Sequence, residues 1–124
     1  MRNNRIMNIS LYHNPNCSKS RKTLELLEEN GISPNIIAYL TEPPSAKSIL
    51  RVAQALDVKV AELLRKGDEE FANAADLPPL DDDAALASWI HRHPSVLQRP
   101  IAIDEASGKA IIGRPPENVL DLIR

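Results

Sequence analysis

Near its start the chain alternates: Met7, Ile9 and Leu11 are apolar while Asn8 and Ser10 are polar. A period of two predicts a β-strand, here over residues 6–13, after a lead-in over residues 1–5. The period then changes. Thr23-Leu24-Glu25-Leu26-Leu27-Glu28-Glu29 has helical spacing and stops at Gly31, predicting a helix over residues 18–30. Pro34 opens a second apolar run, Ile36-Ile37-Ala38-Tyr39-Leu40, short and rich in β-branched residues, so a buried strand is predicted. After Pro43-Pro44, Ser45 is a good N-cap, and Ile49, Val52, Ala53 and Leu56 mark one face of a helix. Val60, Leu63 and Leu64 predict a further short helix ending at Arg65-Lys66-Gly67, and residues 68–75 carry only a weak helical pattern. Asp81-Asp82-Asp83 precedes Leu86, Trp89, Ile90 and His93, as suits a helix whose positive N-terminal end attracts acids. Residues 98–104 and 110–113 read as strands joined by a turn over 105–109, hence an antiparallel hairpin. Residues 114–117 start a last helix with Val119, Leu120 and Ile123 inward, its opening marked by prolines and Glu117.

The order is therefore β-α-β, a helical insert over about residues 45–95, then β-β-α. A strand-helix-strand unit of about 30 residues implies a right-handed parallel crossover. The predicted fold is α/β and thioredoxin-like: a four-stranded mixed sheet whose middle connection is enlarged. A chain of 124 residues fits one such domain, large enough for one real core.

Charge and composition mainly exclude. Net charge is −2 with no basic stripe, and the aromatics are only Tyr12, Tyr39, Phe71 and Trp89, so no base-stacking platform exists and nucleic acid is not an expected partner. No run approaches the roughly 18 apolar residues of a membrane span, and no signal-peptide core is recognisable near the start. The expected setting is the cytoplasm, without a membrane partner and with the monomer as default. The single cysteine, Cys17, rules out an internal disulfide and a four-cysteine zinc site. The acidic run at 81–83 is followed by neither the Gly nor the bidentate Glu of an EF-hand, so no metal is expected there.

Candidate chemistry then centres on Cys17. It falls at the junction between the first strand's turn and the first helix, where unpaired backbone N–H groups and the helix dipole favour thiolate over thiol. A lone cysteine is otherwise a small buried hydrophobe. Lowering a thiol's pKa raises the thiolate fraction but weakens each thiolate as a nucleophile, so the net gain is only a few-fold, and fixed positive charge must supply more. Ser20 stands where Cys-x-x-Cys proteins have their second cysteine and has a second reading as a helix cap. Arg21 reads as an ordinary first-helix charge.

Several short motifs occur in one order: His13-Asn14-Pro15-Asn16-Cys17-Ser18-Lys19-Ser20-Arg21, Tyr39-Leu40 before Pro43-Pro44-Ser45, Leu63-Leu64-Arg65, His93-Pro94, Arg99-Pro100-Ile101 and Gly113-Arg114-Pro115. Together they resemble the glutaredoxin-linked arsenate reductase (ArsC) family of thioredoxin-fold proteins, over about residues 9–123. The resemblance implies Cys17 as nucleophile, Arg65, Arg99 and Arg114 as the set that binds arsenate or a similar oxyanion, and a cis peptide at Pro100. It also implies His13 beside the thiolate, where an imidazolium would stabilise it, with Ser20 as a second stabilising group. Arginine suits a tetrahedral oxyanion because its planar donors and permanent charge match the oxygens. Arg99 and Arg114 each precede a proline, which biases their backbone toward extended conformations. With one cysteine, the chain needs an external thiol; the resemblance names glutathione as co-substrate and glutaredoxin as partner, with no bound cofactor. A second type of arsenate reductase uses a Cys-x₅-Arg phosphate loop, but the sixth residue beyond Cys17 is Thr23, so that mechanism fails. Two alternatives remain: a monothiol glutathione-dependent oxidoreductase without arsenate specificity, and a regulator resembling the polymerase-binding Spx proteins. Ser20 and the anion arginines argue against the regulator, whose redox switch is typically Cys-x-x-Cys.

Overall fold

A computed structural model of the chain describes residues 7–98 and 100–123. The lead-in expected over 1–5, Arg99, and the cis bond expected between Arg99 and Pro100 lie outside the described residues.

The opening alternation forms β1 (Ile9–Tyr12). It lies inside a four-stranded sheet of order β2-β1-β3-β4. β2 (Asn35–Ile37) pairs parallel to β1, whereas β3 (Ile101–Asp104) runs antiparallel to β1 and to β4 (Lys109–Ile112). This is the thioredoxin-like arrangement that the element order implied. Leu11 sits opposite Ala102, and Ala102 opposite Ile111, so these share one face with Ile9. That face packs on Leu27 of α1 (Ser18–Glu29) and on Val119 and Leu122 near the C-terminus. Each large apolar side chain buried there contributes roughly 1.5–3 kcal/mol. β1 and β3 are buried at every position, as befits central strands.

α1 ends in a Schellman motif. Gly31 adopts a left-handed φ of 77°, its N–H donates to the Glu28 carbonyl (3.0 Å), and the Ile32 N–H donates to that of Leu27 (2.9 Å). The strand expected over 36–40 is shorter and less buried than its composition predicts. It stops at Ile37, because the Ala38 carbonyl accepts the Thr41 and Glu42 amides (3.0 and 2.8 Å) and turns the chain. β2 is also an edge strand, which leaves Ile36 44% exposed. The last helix opens as a 3-10 turn (Pro116–Val119) before α5 (Leu120–Ile123).

The described residues form two compact units: 7–37 together with 100–123, and 38–98. The second unit is helical. Ser45 caps α2 (Ala46–Leu56) by accepting the Ser48 amide (3.1 Å), and α2 packs on the helix that follows the acidic run, here labelled α4 (Asp83–Arg92), which Asp82 caps. Between them lie a 3-10 turn (Val60–Leu63) and the one-turn α3 (Glu69–Ala72). Trp89 is fully buried, with its Nε1–H donating to Asp76 (3.0 Å). Among the described residues no helix is long and apolar enough to cross a membrane.

Candidate active site

β1 delivers the chain to His13, which still follows the sheet: its N–H donates to the Ile37 carbonyl (3.0 Å). Asn14-Pro15-Asn16-Cys17 then forms a turn closed by the Cys17 N–H on the Asn14 carbonyl (3.0 Å), with Pro15 at the corner where its fixed φ is favoured. The Asn14 side chain reinforces that turn, its Oδ1 accepting the Asn16 amide at 2.9 Å. Cys17 is the N-cap residue of α1, in extended conformation and partly exposed, and its side chain makes no capping bond. The first amides of α1 are those a helix leaves without intrahelical acceptors, and the sulfur is at that end.

Ser20 holds this arrangement from inside. Its side chain is fully buried, and its Oγ accepts the Asn14 amide (3.0 Å) and lies 2.7 Å from His13 Nδ1. It does not cap its own helix but reaches back beyond the N-cap to the end of β1. His13 is itself buried. Burial, and then the nearby Arg21 charge, hold its pKa below the usual 6.5 of histidine. The ring is therefore neutral at neutral pH. A neutral ring accepts the Ser20 hydroxyl proton at Nδ1, an assignment from the hydrogen-bond pattern that puts the ring proton on Nε2. The imidazolium expected beside the sulfur is the form this environment disfavours.

Arg21 holds the turn from outside. The Arg21 N–H donates to the Cys17 carbonyl (3.0 Å), and its guanidinium folds back so that Nη1 donates to the Pro15 carbonyl (2.8 Å). Neither this contact nor the Asn14 side-chain turn was among the sequence-derived candidates. Asn-Pro-Asn is a turn composition and signals the latter; Arg21 lies four residues beyond Cys17, on the same face of the helix start.

Of the predicted arginines, Arg114 lies in the same unit as Cys17. It follows Gly113, whose N–H donates to the Pro100 carbonyl (2.9 Å) and which abuts α1 so closely that an added Cβ would stand 2.7 Å from Thr23 Oγ1. The Arg114 carbonyl accepts from Asn118 Nδ2 (3.1 Å), and its bond to Pro115 is cis. Arg65 belongs to the second unit. It follows the 3-10 turn rather than ending a helix; its N–H donates to the Val96 carbonyl (2.7 Å), and its guanidinium is 3.9 Å from Asp68 Oδ2. Arg99 is outside the described residues. The structure thus brings together His13, Ser20 and the Cys17 turn, and anchors the segment bearing Arg114 against the same helix.

A sequence model of the family described as the ArsC family matches residues 12–122. A Neisseria meningitidis (serogroup A) protein named arsenate reductase is 42% identical over 113 residues, covering 90% of this chain and 94% of its own. A protein of Escherichia coli K12 named as uncharacterized protein YfgD is 40% identical over 118 residues, or 93% of this chain and 96% of its own. The solved structure of an arsenate reductase from Vibrio cholerae superposes with a TM-score of 0.81 at 38% identity, covering 94% of this chain and 98% of that one.

Proposed function

This chain belongs to the ArsC family, and from that membership we propose that it is an arsenate reductase that uses Cys17 as its nucleophile and takes its electrons from external thiols. The observation that carries the reading is the turn at 14–17, which sets the chain's one thiol at the N-terminus of α1 and fastens that turn through Ser20. That the Neisseria and Vibrio relatives are named arsenate reductases supports the choice of substrate.

The chemistry must balance. One arsenate and two thiols give one arsenite, one disulfide and one water. In the first step the Cys17 thiolate attacks arsenic, a sulfur–arsenic bond forms, and an arsenate oxygen leaves as water. An external thiolate, glutathione in this reading, then attacks the Cys17 sulfur. The sulfur–arsenic bond breaks with its electron pair staying on arsenic, which falls from the +5 to the +3 state and departs as arsenite. The remaining mixed disulfide passes to glutaredoxin by thiol–disulfide exchange. A supply of reduced thiol fits a reducing cytoplasm. Arg65, Arg99 and Arg114 are the proposed anion-binding groups, neutralising charge that builds up on the arsenate oxygens. His13, neutral and tied to Ser20, serves by fixing that hydroxyl rather than by lending a positive charge.

The test is steady-state turnover with arsenate, glutathione, glutaredoxin and an NADPH-coupled glutathione reductase. The wild type is expected to turn over and Cys17→Ser to show none. A wild type that reduces glutathione mixed disulfides but never arsenate would sink the substrate assignment.

A further inference from the structure

We propose that Arg21 is a positioning residue for Cys17, its guanidinium latching the first turn of α1 to the Pro15 carbonyl so that the turn at 14–17 keeps one conformation. This rests on the reading of Cys17 as the nucleophile. Arg21 is exposed, yet its guanidinium is committed to a backbone carbonyl. An exposed arginine left to solvent would extend; this one instead spans six residues back to donate at 2.8 Å to a carbonyl on the far side of the sulfur-bearing residue. A proline carbonyl at a turn corner has no helical or sheet partner, so a charged donor is a strong match for it.

The latch complements Ser20. These consecutive residues grip the same turn from opposite sides: Ser20, fully buried, takes the Asn14 amide, and Arg21, exposed, takes the Pro15 carbonyl. Between Pro15 and Ser20 lie only Asn16, Cys17, Ser18 and Lys19, and the amides of Asn16 and Cys17 both turn back onto Asn14. A turn tied at two successive residues to the helix that follows it spends less of its time in conformers where the sulfur points elsewhere, which is the positional gain that near-attack geometry requires. The guanidinium also contributes a fixed charge at this end of α1. It disfavours the protonated ring of His13, and by the same sign it favours an anionic sulfur one helical turn away.

The experiment uses the full chain and compares wild type, Arg21→Met and Arg21→Lys by two readouts that need no arsenate. One is amide hydrogen exchange at Asn14, Asn16 and Cys17; the other is the pH profile of Cys17 alkylation by iodoacetamide. Arg21→Met keeps the stem and removes the donor, so exchange at these amides should quicken roughly three- to tenfold, as loss of one charge-assisted hydrogen bond allows. Its alkylation profile should shift to higher pH, with the midpoint of thermal unfolding little changed. Arg21→Lys, which keeps the charge and one donor, should recover most of the profile. Unchanged exchange and an unchanged profile in Arg21→Met would overturn the latch. An effect of equal size in Arg21→Lys and Arg21→Met would also overturn it. Because neither readout uses arsenate, a wild type inactive on arsenate with a shifted Arg21→Met profile would sink the substrate assignment and leave the latch standing.

Discussion

Ser20 shows how much one small side chain decides. A hydroxyl is both donor and acceptor, and here both capacities are used: the oxygen takes the Asn14 amide and the proton goes to a neutral His13 ring. The pairing makes His13 a pH-sensitive residue with a definite sign. Its folded-state pKa lies below the ordinary 6.5, so over the interval between the two values the unfolded chain binds a proton that the folded chain refuses. This contribution to stability is complete above about pH 6.5 and declines as pH falls below it, levelling off once the folded-state pKa is passed. In His13→Asn the amide oxygen stands where Nδ1 stands and still accepts from Ser20, but the side chain no longer titrates. Urea unfolding of both proteins from about pH 7.5 to 5 should show a steeper loss of stability in the wild type below about pH 6.5. Parallel curves would mean that His13 is as easily protonated in the fold as outside it.

At the scale of elements, the contact that matters most for the proposed anion site is the approach of the chain beyond β4 to α1. Gly113 has an ordinary φ, so its requirement is space: a Cβ there would meet Thr23 Oγ1 at 2.7 Å and Pro100 Cγ at 2.8 Å. Gly113→Ala must therefore push the segment carrying Arg114 away from α1, at a cost of about 1–3 kcal/mol for overpacking a tight site. Thr23→Ala removes one of the two obstructions and also a hydroxyl that donates to the Lys19 carbonyl (2.8 Å). The double variant should be more stable than the sum of the two single losses predicts, by urea midpoints; strict additivity would show that the crowding is not felt. Arsenate KM should rise in Gly113→Ala and partly recover in the double variant. None of this is visible in the sequence, where Gly113 is one glycine before a proline-rich stretch. What was legible at this scale rested on period and caps: the alternation of β1, the helical run ending at Gly31, the Ser45 cap and the β3–β4 hairpin. What was not legible depended on neighbours distant in sequence. The run Ile36–Leu40 has the composition of a buried strand, but composition carries no information on whether the strand is central or at an edge. The Ala38 turn that ends it uses backbone bonds that any sequence can make. The Arg21 contact joins a side chain to a carbonyl six residues earlier, and residue identities hold no signal for that beyond helical spacing.

For the molecule as a whole, the count of sulfur nucleophiles sets the reaction's accounting. Taking arsenate to arsenite needs two electrons, which thiols deliver only by pairing into a disulfide, and this chain has one thiol. The fold cannot supply the second from within, however well the turn at 14–17 is held, so the products of partial reactions are fixed in advance. With arsenate and no added thiol, the proposed cycle halts at the Cys17 adduct and no arsenite is released. With glutathione added but no glutaredoxin, each chain should release about one arsenite quickly and then stall with glutathione bound to Cys17, because in the proposed cycle glutaredoxin, not a second glutathione, takes the mixed disulfide by exchange. Glutaredoxin should then convert that single burst into continuous turnover. Arsenite release measured against time, with the intact mass of the stalled protein, follows all three stages. A burst well above one arsenite per chain without glutaredoxin would show that free glutathione resolves the mixed disulfide unaided. Arsenite release from Cys17→Ser would show that the electrons never pass through this sulfur.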